Sequence, residues 1–186
     1  MIQKTDLSRY NNTAFDTGKP FWYRTCWYFL SALLVQCAWN PSSALRVFLL
    51  RLFGARMGAG VVVKPSVHIK YPWRLTVGDH CWIGEKVWID NLAPVTLGQH
   101  VCLSQEAYLL TGNHNYKSPA FDLITLPIVL EDGVWIGARA VVCPGVTVRS
   151  HAVLSVGSVA AKELEAYTIY SGNPAEPLRK RDINAC

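Results

Sequence analysis

The sequence predicts a mainly β fold wound as a repeating coil of short strands, and three observations lead there. First, Leu130, Ile136, Val142, Val148 and Leu154 stand six residues apart, and four places after each comes a small or β-branched residue: Val134, Ala140, Val146, Ala152 and Ser158. A period of six fits neither the helical repeat of about 3.6 nor the two-residue alternation of a free strand, so it describes a supersecondary repeat. Second, the same register runs upstream through Met57, Val63, Ile69, Val77, Ile83, Ile89, Leu97, Leu103 and Leu109, with two-residue skips before Val77 and Leu97. Third, Gly58, Gly78, Gly84, Gly98 and Gly137 directly follow inward positions, and Asp79-His80, Gln99-His100 and Asp132-Gly133 fall where corners are due. Gly and Asp tolerate tight bends, so the punctuation agrees with the period. Three hexads then make one triangular turn, with a short strand on each side and apolar residues pointing inward.

At 186 residues the chain is one domain's worth and can bury a continuous core. Three segments are expected: an aromatic and basic helical segment over 1–56, the coil over 57–161 with an extruded loop at 115–129, and a tail with a short helix over 162–186. Residues 1–56 hold seven Lys and Arg against Asp6 and Asp16, and the remaining 130 residues hold eleven charges of each sign, so the excess behind the net charge of +5 sits in the first segment. That excess is modest and lies among aromatics, which argues against nucleic-acid binding. Cys26, Cys37, Cys81, Cys102, Cys143 and Cys186 show no metal-site spacing and read as reduced, as in the cytoplasm.

In the first segment, Phe21-Trp22-Tyr23 and Trp27-Tyr28-Phe29-Leu30 crowd aromatics around Arg24. The apolar stretch from Cys26 to Trp39 is shorter than the roughly 20 residues of a spanning helix. A signal peptide is not expected, because the aromatics follow polar residues and no small-residue cleavage motif comes after them. A second helix is expected after Ser42 or Ser43 as N-cap, running to Phe53 with Arg46 and Arg51 on its flanks. Two readings stand side by side: the helices cap the open end of the coil, or residues 21–53 contact an anionic membrane surface.

The chemistry centres on Leu109-Leu110-Thr111-Gly112-Asn113-His114-Asn115-Tyr116, after which the register lapses until Leu130. So long an excursion from a strict coil suits a functional loop on a rigid scaffold. His114 is the candidate general base, since imidazole can accept a proton near neutral pH. Its second nitrogen needs an acceptor, and Asp90 and Asn91, one coil below, are the candidates; equally, both could satisfy backbone at a corner. His80 and His100 stand at equivalent places in adjacent coils, which raises a metal-dependent alternative, but a metal centre needs three or more converging ligands and none is expected.

The repeats over roughly 57–175 resemble the left-handed parallel β-helix of the hexapeptide-repeat acyltransferases, whose winding breaks the usual right-handed crossover rule. Ile69-Lys70-Tyr71-Pro72-Trp73, Val87-Trp88-Ile89-Asp90-Asn91-Leu92, Gly112-Asn113-His114-Asn115-Tyr116 and Pro119-Ala120-Phe121-Asp122-Leu123 are similar to the O-acetyltransferases of colanic acid and other exopolysaccharide biosynthesis. The resemblance implies acetyl-CoA as cosubstrate, a sugar or lipid-linked saccharide as acceptor, a homotrimer with sites between subunits, and work at the cytoplasmic face of the membrane. It also implies that Thr111-x-x-His114 carries the catalytic histidine, and that Val134-Trp135-Ile136-Gly137-Ala138 lines the pantetheine arm. Trp135 could instead be surface packing. Gly157-Ser158-Val159-Ala160-Ala161-Lys162 is similar to the end of the family's coil, with Ala161 where a threonine is usual, and Lys162, Arg179 and Lys180 become candidate phosphate partners or simply solvated cations. Ser171-Gly172-Asn173-Pro174-Ala175 resembles the family's exit turn, from which Pro174 would open a short helix carrying Leu178 to Arg181. A non-catalytic scaffold is the non-enzyme alternative.

Overall fold

In the computed structural model, which describes residues 4–183, the hexads form three parallel sheets around one apolar core. The first face stacks Arg56–Met57, Leu75–Val77, Val95–Leu97, Ile128–Leu130 and Thr147–Val148. The second stacks Val62–Val63, Trp82–Ile83, Cys102–Leu103, Trp135–Ile136, Val153–Leu154 and Thr168–Gly172, and the third His68–Ile69, Trp88–Asp90, Tyr108–Leu110, Val141–Val142 and Val159–Ala160. Val63, Ile83, Leu103, Ile136 and Leu154 form one inward column and are fully buried. Each such side chain contributes roughly 1.5–3 kcal/mol by leaving water.

Successive members of that column show how long each turn is. Ile136 to Leu154 is 18 residues, three plain hexads; Val63 to Ile83 and Ile83 to Leu103 are 20; Leu103 to Ile136 is 33. All of the surplus leaves at one corner, between the third face and the first: a short 3-10 turn at Pro72–Arg74, the bend around Asn91 and Leu92, and an antiparallel hairpin of Gly112–His114 with Leu123–Thr125. The expected loop over 115–129 is therefore partly regular, with its rim in the hairpin and its end, from Ile128, already back in the first face.

At another corner, Asp79 Oδ1 accepts from Ala59 N and Asp132 Oδ1 from Gln99 N, each at 2.7 Å. Gly98 makes room for this, since a Cβ there would stand 2.3 Å from Asp132 Oδ1. The left-handed conformation falls on His80, His100 and His151 as well as on glycine, with φ of 56°, 56° and 60°. The coil's repeated hydrogen bonds impose that conformation against its local cost. The His80 and His100 rings stack at 5.3 Å, and among the described residues no three His, Cys, Asp or Glu side chains converge as a metal site.

Helix α1 (Phe21–Leu30) continues into a π-helical turn at Ser31–Val35, and α2 (Ser43–Leu52) starts on Ser42, whose Oγ accepts from Leu45 N at 3.1 Å. Together they cover the first coil. Ser43 Oγ accepts from Val63 N at 2.9 Å, and Trp27 Nε1 donates to Ile69 O at 3.0 Å, so edge groups of the opening strands find partners. Arg46 departs from expectation: it is not on a flank but wholly buried, donating to the carbonyls of Val35, Asn40 and Val63. Three converging carbonyls solvate the guanidinium where no carboxylate does. None of the described helices is long and apolar enough to cross a membrane. Cys26, Cys37, Cys81, Cys102 and Cys143 are free, and Cys186 lies outside the described residues.

The expected C-terminal helix is absent. Ala175–Lys180 is a strand, paired antiparallel with Thr168–Gly172. The hairpin satisfies the last coil's open edge, whereas a helix would leave that edge bare and would meet Pro177 in its interior.

Replacing Arg46 with Ala strands three carbonyls at the joint between helices and coil. The variant is expected to lose about 3 kcal/mol in chemical denaturation, with the loss concentrated in protease accessibility of residues 21–52.

Candidate functional site

The surplus residues of three turns stack at their common corner and build a cleft of about 490 Å³ there. Lys70, Asp90 and Leu110 come from successive turns, as do Tyr71, Asn91 and Thr111. Thr111 is fully buried; its hydroxyl donates to Asp90 O at 2.7 Å and accepts from Ala93 N at 3.0 Å, tying the hairpin's root to the turn below. From that root the strand Gly112–His114 carries His114 into the cleft, and Asn115 N donating to Asp122 O at 2.8 Å closes the hairpin around it.

The imidazole is held on three sides. Its Nδ1 lies 2.8 Å from Phe121 O, and since a carbonyl only accepts, Nδ1 is the donor, so in the neutral ring the lone pair is at Nε2. Phe121 also stacks on the ring at 4.5 Å with 9° between planes, and Tyr10 closes from another side at 5.7 Å. Phe121 is in the left-handed region, φ 54°, at the end of a turn in which its N–H donates to Ser118 O. That turn points one residue's ring and carbonyl at the same histidine.

Asp90 and Asn91 therefore do not orient His114. Asn91 is buried and spans Tyr71, accepting from its N–H at 2.9 Å and donating to its carbonyl at 2.7 Å. Asp90 does line the cleft, with Lys70 Nζ 3.0 Å from its Oδ1. Its nearness to His114 in the cleft comes from coil stacking. Four further lining residues come from a segment whose part in the site has no sequence signature: Tyr10, Asn12, Phe15 and Thr17. This arm is pinned by Asp6 N donating to Pro119 O, by Trp73 Nε1 donating to Thr17 O, and by Arg74 reaching Asp16 O.

The residues expected along a coenzyme lie elsewhere on the coil. Trp135 is half exposed on the second face, its Nε1 donating to Ser104 Oγ at 2.9 Å. Gly137 presses on the next turn, where a Cβ would stand 2.6 Å from Val156 N, and Ala138 O accepts from Gly157 N. Ser158 is buried with its Oγ accepting from Gly172 N at 3.0 Å. Both Gly137 and Ser158 thus have structural duties. Ala161 and Lys162 are exposed, Arg179 is exposed on the last strand, and Lys180 Nζ donates to Thr168 Oγ1. No contact brings these three cations together.

Thr111→Val preserves shape but unpairs Ala93 N, while Asp90 O loses the hydroxyl and keeps its backbone donors Leu92 N and Thr111 N. A loss of about 1–3 kcal/mol is expected on thermal or urea unfolding, and Thr111→Ser should recover most of it.

Comparison with known proteins places this architecture. The hexapeptide repeat of succinyl-transferase matches residues 127–159. A putative colanic acid biosynthesis acetyltransferase of Escherichia coli K12, WcaF, is 42% identical over 146 residues, covering 77% of this chain and 80% of that protein. The galactoside O-acetyltransferase of the same strain is 26% identical, covering 73% of this chain and 68% of its own. Among solved structures, the hexapeptide-repeat acetyltransferase VCA0836 of Vibrio cholerae in complex with acetyl coenzyme A superposes with a TM-score of 0.78 at 28% identity, covering 87% and 88% of the two chains. By its repeats, its coil and these relatives, the chain belongs to the hexapeptide-repeat acetyltransferases.

Proposed function

We propose that this acetyltransferase moves the acetyl group of acetyl-CoA to a sugar hydroxyl of an exopolysaccharide precursor, with His114 as general base. The observation that carries the reading is the tautomer. Phe121 O accepts from Nδ1–H, which leaves Nε2 of this cleft-lining ring, without a hydrogen bond within the described residues, to act as the base. Similarity to the colanic acid enzyme supports the choice of acceptor class, and similarity to a structure holding acetyl coenzyme A supports the donor.

In this mechanism Nε2 removes the hydroxyl proton as the acceptor oxygen bonds to the thioester carbonyl carbon. The tetrahedral oxyanion, held by backbone N–H groups, collapses and expels the coenzyme thiolate. The imidazolium returns its proton to that sulfur, giving the acetyl ester and free coenzyme A, with no covalent enzyme intermediate. Lys70 and Asp90, on the cleft wall, suit the remaining hydroxyls of a sugar. Trp135 and Ala138 would flank the pantetheine arm, and Lys162, Arg179 and Lys180 would face the coenzyme's phosphates, while Gly137 and Ser158 keep the coil's shape under them. A left-handed winding, a homotrimer with the coenzyme between subunits, and work at the cytoplasmic face of the membrane belong to the same reading.

Purified protein is to be assayed for acetyl-CoA-dependent thiol release against a panel of nucleotide sugars and lipid-linked sugars. His114→Ala should cut kcat by 100-fold or more while leaving the melting temperature unchanged; turnover unaffected by that change would sink the mechanism. Phe121→Ala removes the stacking ring but keeps the carbonyl. It should lower kcat about tenfold with little change in KM, as expected for a positioning residue.

A further inference from the structure

A second cavity, of about 600 Å³, adjoins the His114 cleft. It lies between α1 and the third face, and Arg24, Lys70, Tyr71 and Asp90 line both cavities. Its own lining is of two kinds. Trp73 and the half-exposed Trp88 offer flat carbon surfaces, while Thr25, Ser31, Gln36 and His68 set polar atoms among them. Some of those atoms keep hydrogen-bonding capacity: the Thr25 hydroxyl donates to Phe21 O and has lone pairs left, and Gln36 donates through Nε2 to Ser31 Oγ and has its carbonyl oxygen left.

The charge of the two linings is unbalanced by one. Their charged residues are Arg24, Lys70 and Asp90, and Lys70 Nζ lies 3.0 Å from Asp90 Oδ1, so that pair is neutral. Arg24 is left over. Its Nε is buried and has no hydrogen-bond partner among the described residues. A buried guanidinium nitrogen without an acceptor is costly, and one carboxylate supplies both the matching charge and two oxygens for the planar fork. A phosphomonoester, with a charge of about −1.5 to −2, would exceed what the wall balances. The mixed lining selects the body of the ligand in the same way. A pyranose lays its C–H face on an aromatic ring and turns hydroxyls to polar side chains, whereas a hydrocarbon chain would strand Thr25, Gln36 and His68.

We propose that the second cavity is a subsite for an acidic sugar, a uronate joined by a glycosidic bond to the sugar that is acetylated. The acetylated sugar lies in the cleft with its hydroxyl at His114 Nε2, and the uronate lies on Trp88 with its carboxylate on Arg24. The Lys70–Asp90 pair stands on the wall between them and meets hydroxyls of both. Arg24 is thereby a specificity-determining residue, through which the enzyme reads an acidic oligosaccharide rather than a single sugar. The glycosyl transfer that joins the two sugars then precedes acetyl transfer. This subsite deepens the proposed function and rests on it for the sugar at His114.

The test reads binding, so it does not depend on turnover. The full chain is titrated by calorimetry with glucuronosyl-galactose in both anomeric linkages, with the matching neutral glucosyl-galactose, with the latter phosphorylated at the glucose 6-position, and with free glucuronate. Glucuronosyl-galactose in one linkage should bind at least tenfold more tightly than each of the other three ligands. Arg24→Ala should weaken it tenfold or more and abolish its preference over the neutral disaccharide, and Arg24→Lys should restore part of that preference. Trp88→Ala should weaken the acidic and neutral disaccharides by the same factor. Melting temperatures of the three variants are compared with that of the parent, and Arg24→Lys carries the test if Arg24→Ala does not fold. Equal affinity for the acidic and neutral disaccharides, no measurable binding of either, or a preference that survives at Arg24→Ala would overturn the proposal; tighter binding of the phosphorylated disaccharide would overturn the assignment of a carboxylate. Absence of acetyl transfer to any sugar, with the acidic preference intact, would instead count against the proposed function alone.

Discussion

The structure depends on the backbone hydrogen bonds between successive turns of the coil. Each strand of two or three residues pairs with the equivalent strand of the next turn, so the residues on each face must return in register after every circuit. Any residue beyond the hexads has to leave the wall at a corner. In this chain the surplus of three turns leaves at the same corner, and its layers stack as the walls do. The His114 cleft is a consequence of that rule: it is where strict stacking permits extra chain, and stacking holds the extra chain in place.

The N-terminal segment does two jobs that composition does not separate. Its helices close the coil's first edge through Ser43, Arg46 and Trp27, which answers the question of capping with particular hydrogen bonds. Its arm, residues 4–20, crosses to the hairpin and supplies Tyr10 to the imidazole. The aromatics left outside, Phe21, Trp22, Tyr28 and Phe29 among them, are more than half exposed, so capping alone does not account for them. A cap that is also a wall of the His114 cleft links the stability of the first coil to the shape of that cleft.

The way His114 is held illustrates a general economy. A carboxylate partner would bring its own charge into the cleft, whereas a peptide carbonyl selects the tautomer with a neutral dipole. The charged groups on the cleft wall are Arg24 and the ion pair of Lys70 with Asp90. Phe121 adds a flat apolar surface that restricts rotation of the imidazole, so the ring's orientation is fixed by the fold itself.

Much of the fold was legible in one dimension. The six-residue period named the coil and its core, since inward positions from Val63 to Leu154 are buried, and the lapse after His114 located the cleft. Side-chain size and polarity recur with the fold's own period, so a local pattern reports them. What holds His114 was not legible, because every residue carries a carbonyl and no residue type announces that Phe121 O will be the one in reach. The burial of Arg46, the tie of Asn91 to Tyr71 and the final hairpin in place of a helix are likewise set by contacts between residues distant in the chain. The sequence by itself determined where the wall repeats and where it breaks; only the packed turns decided which backbone groups meet at the break, because backbone polarity is the same at nearly every position and its pairing is settled by stacking.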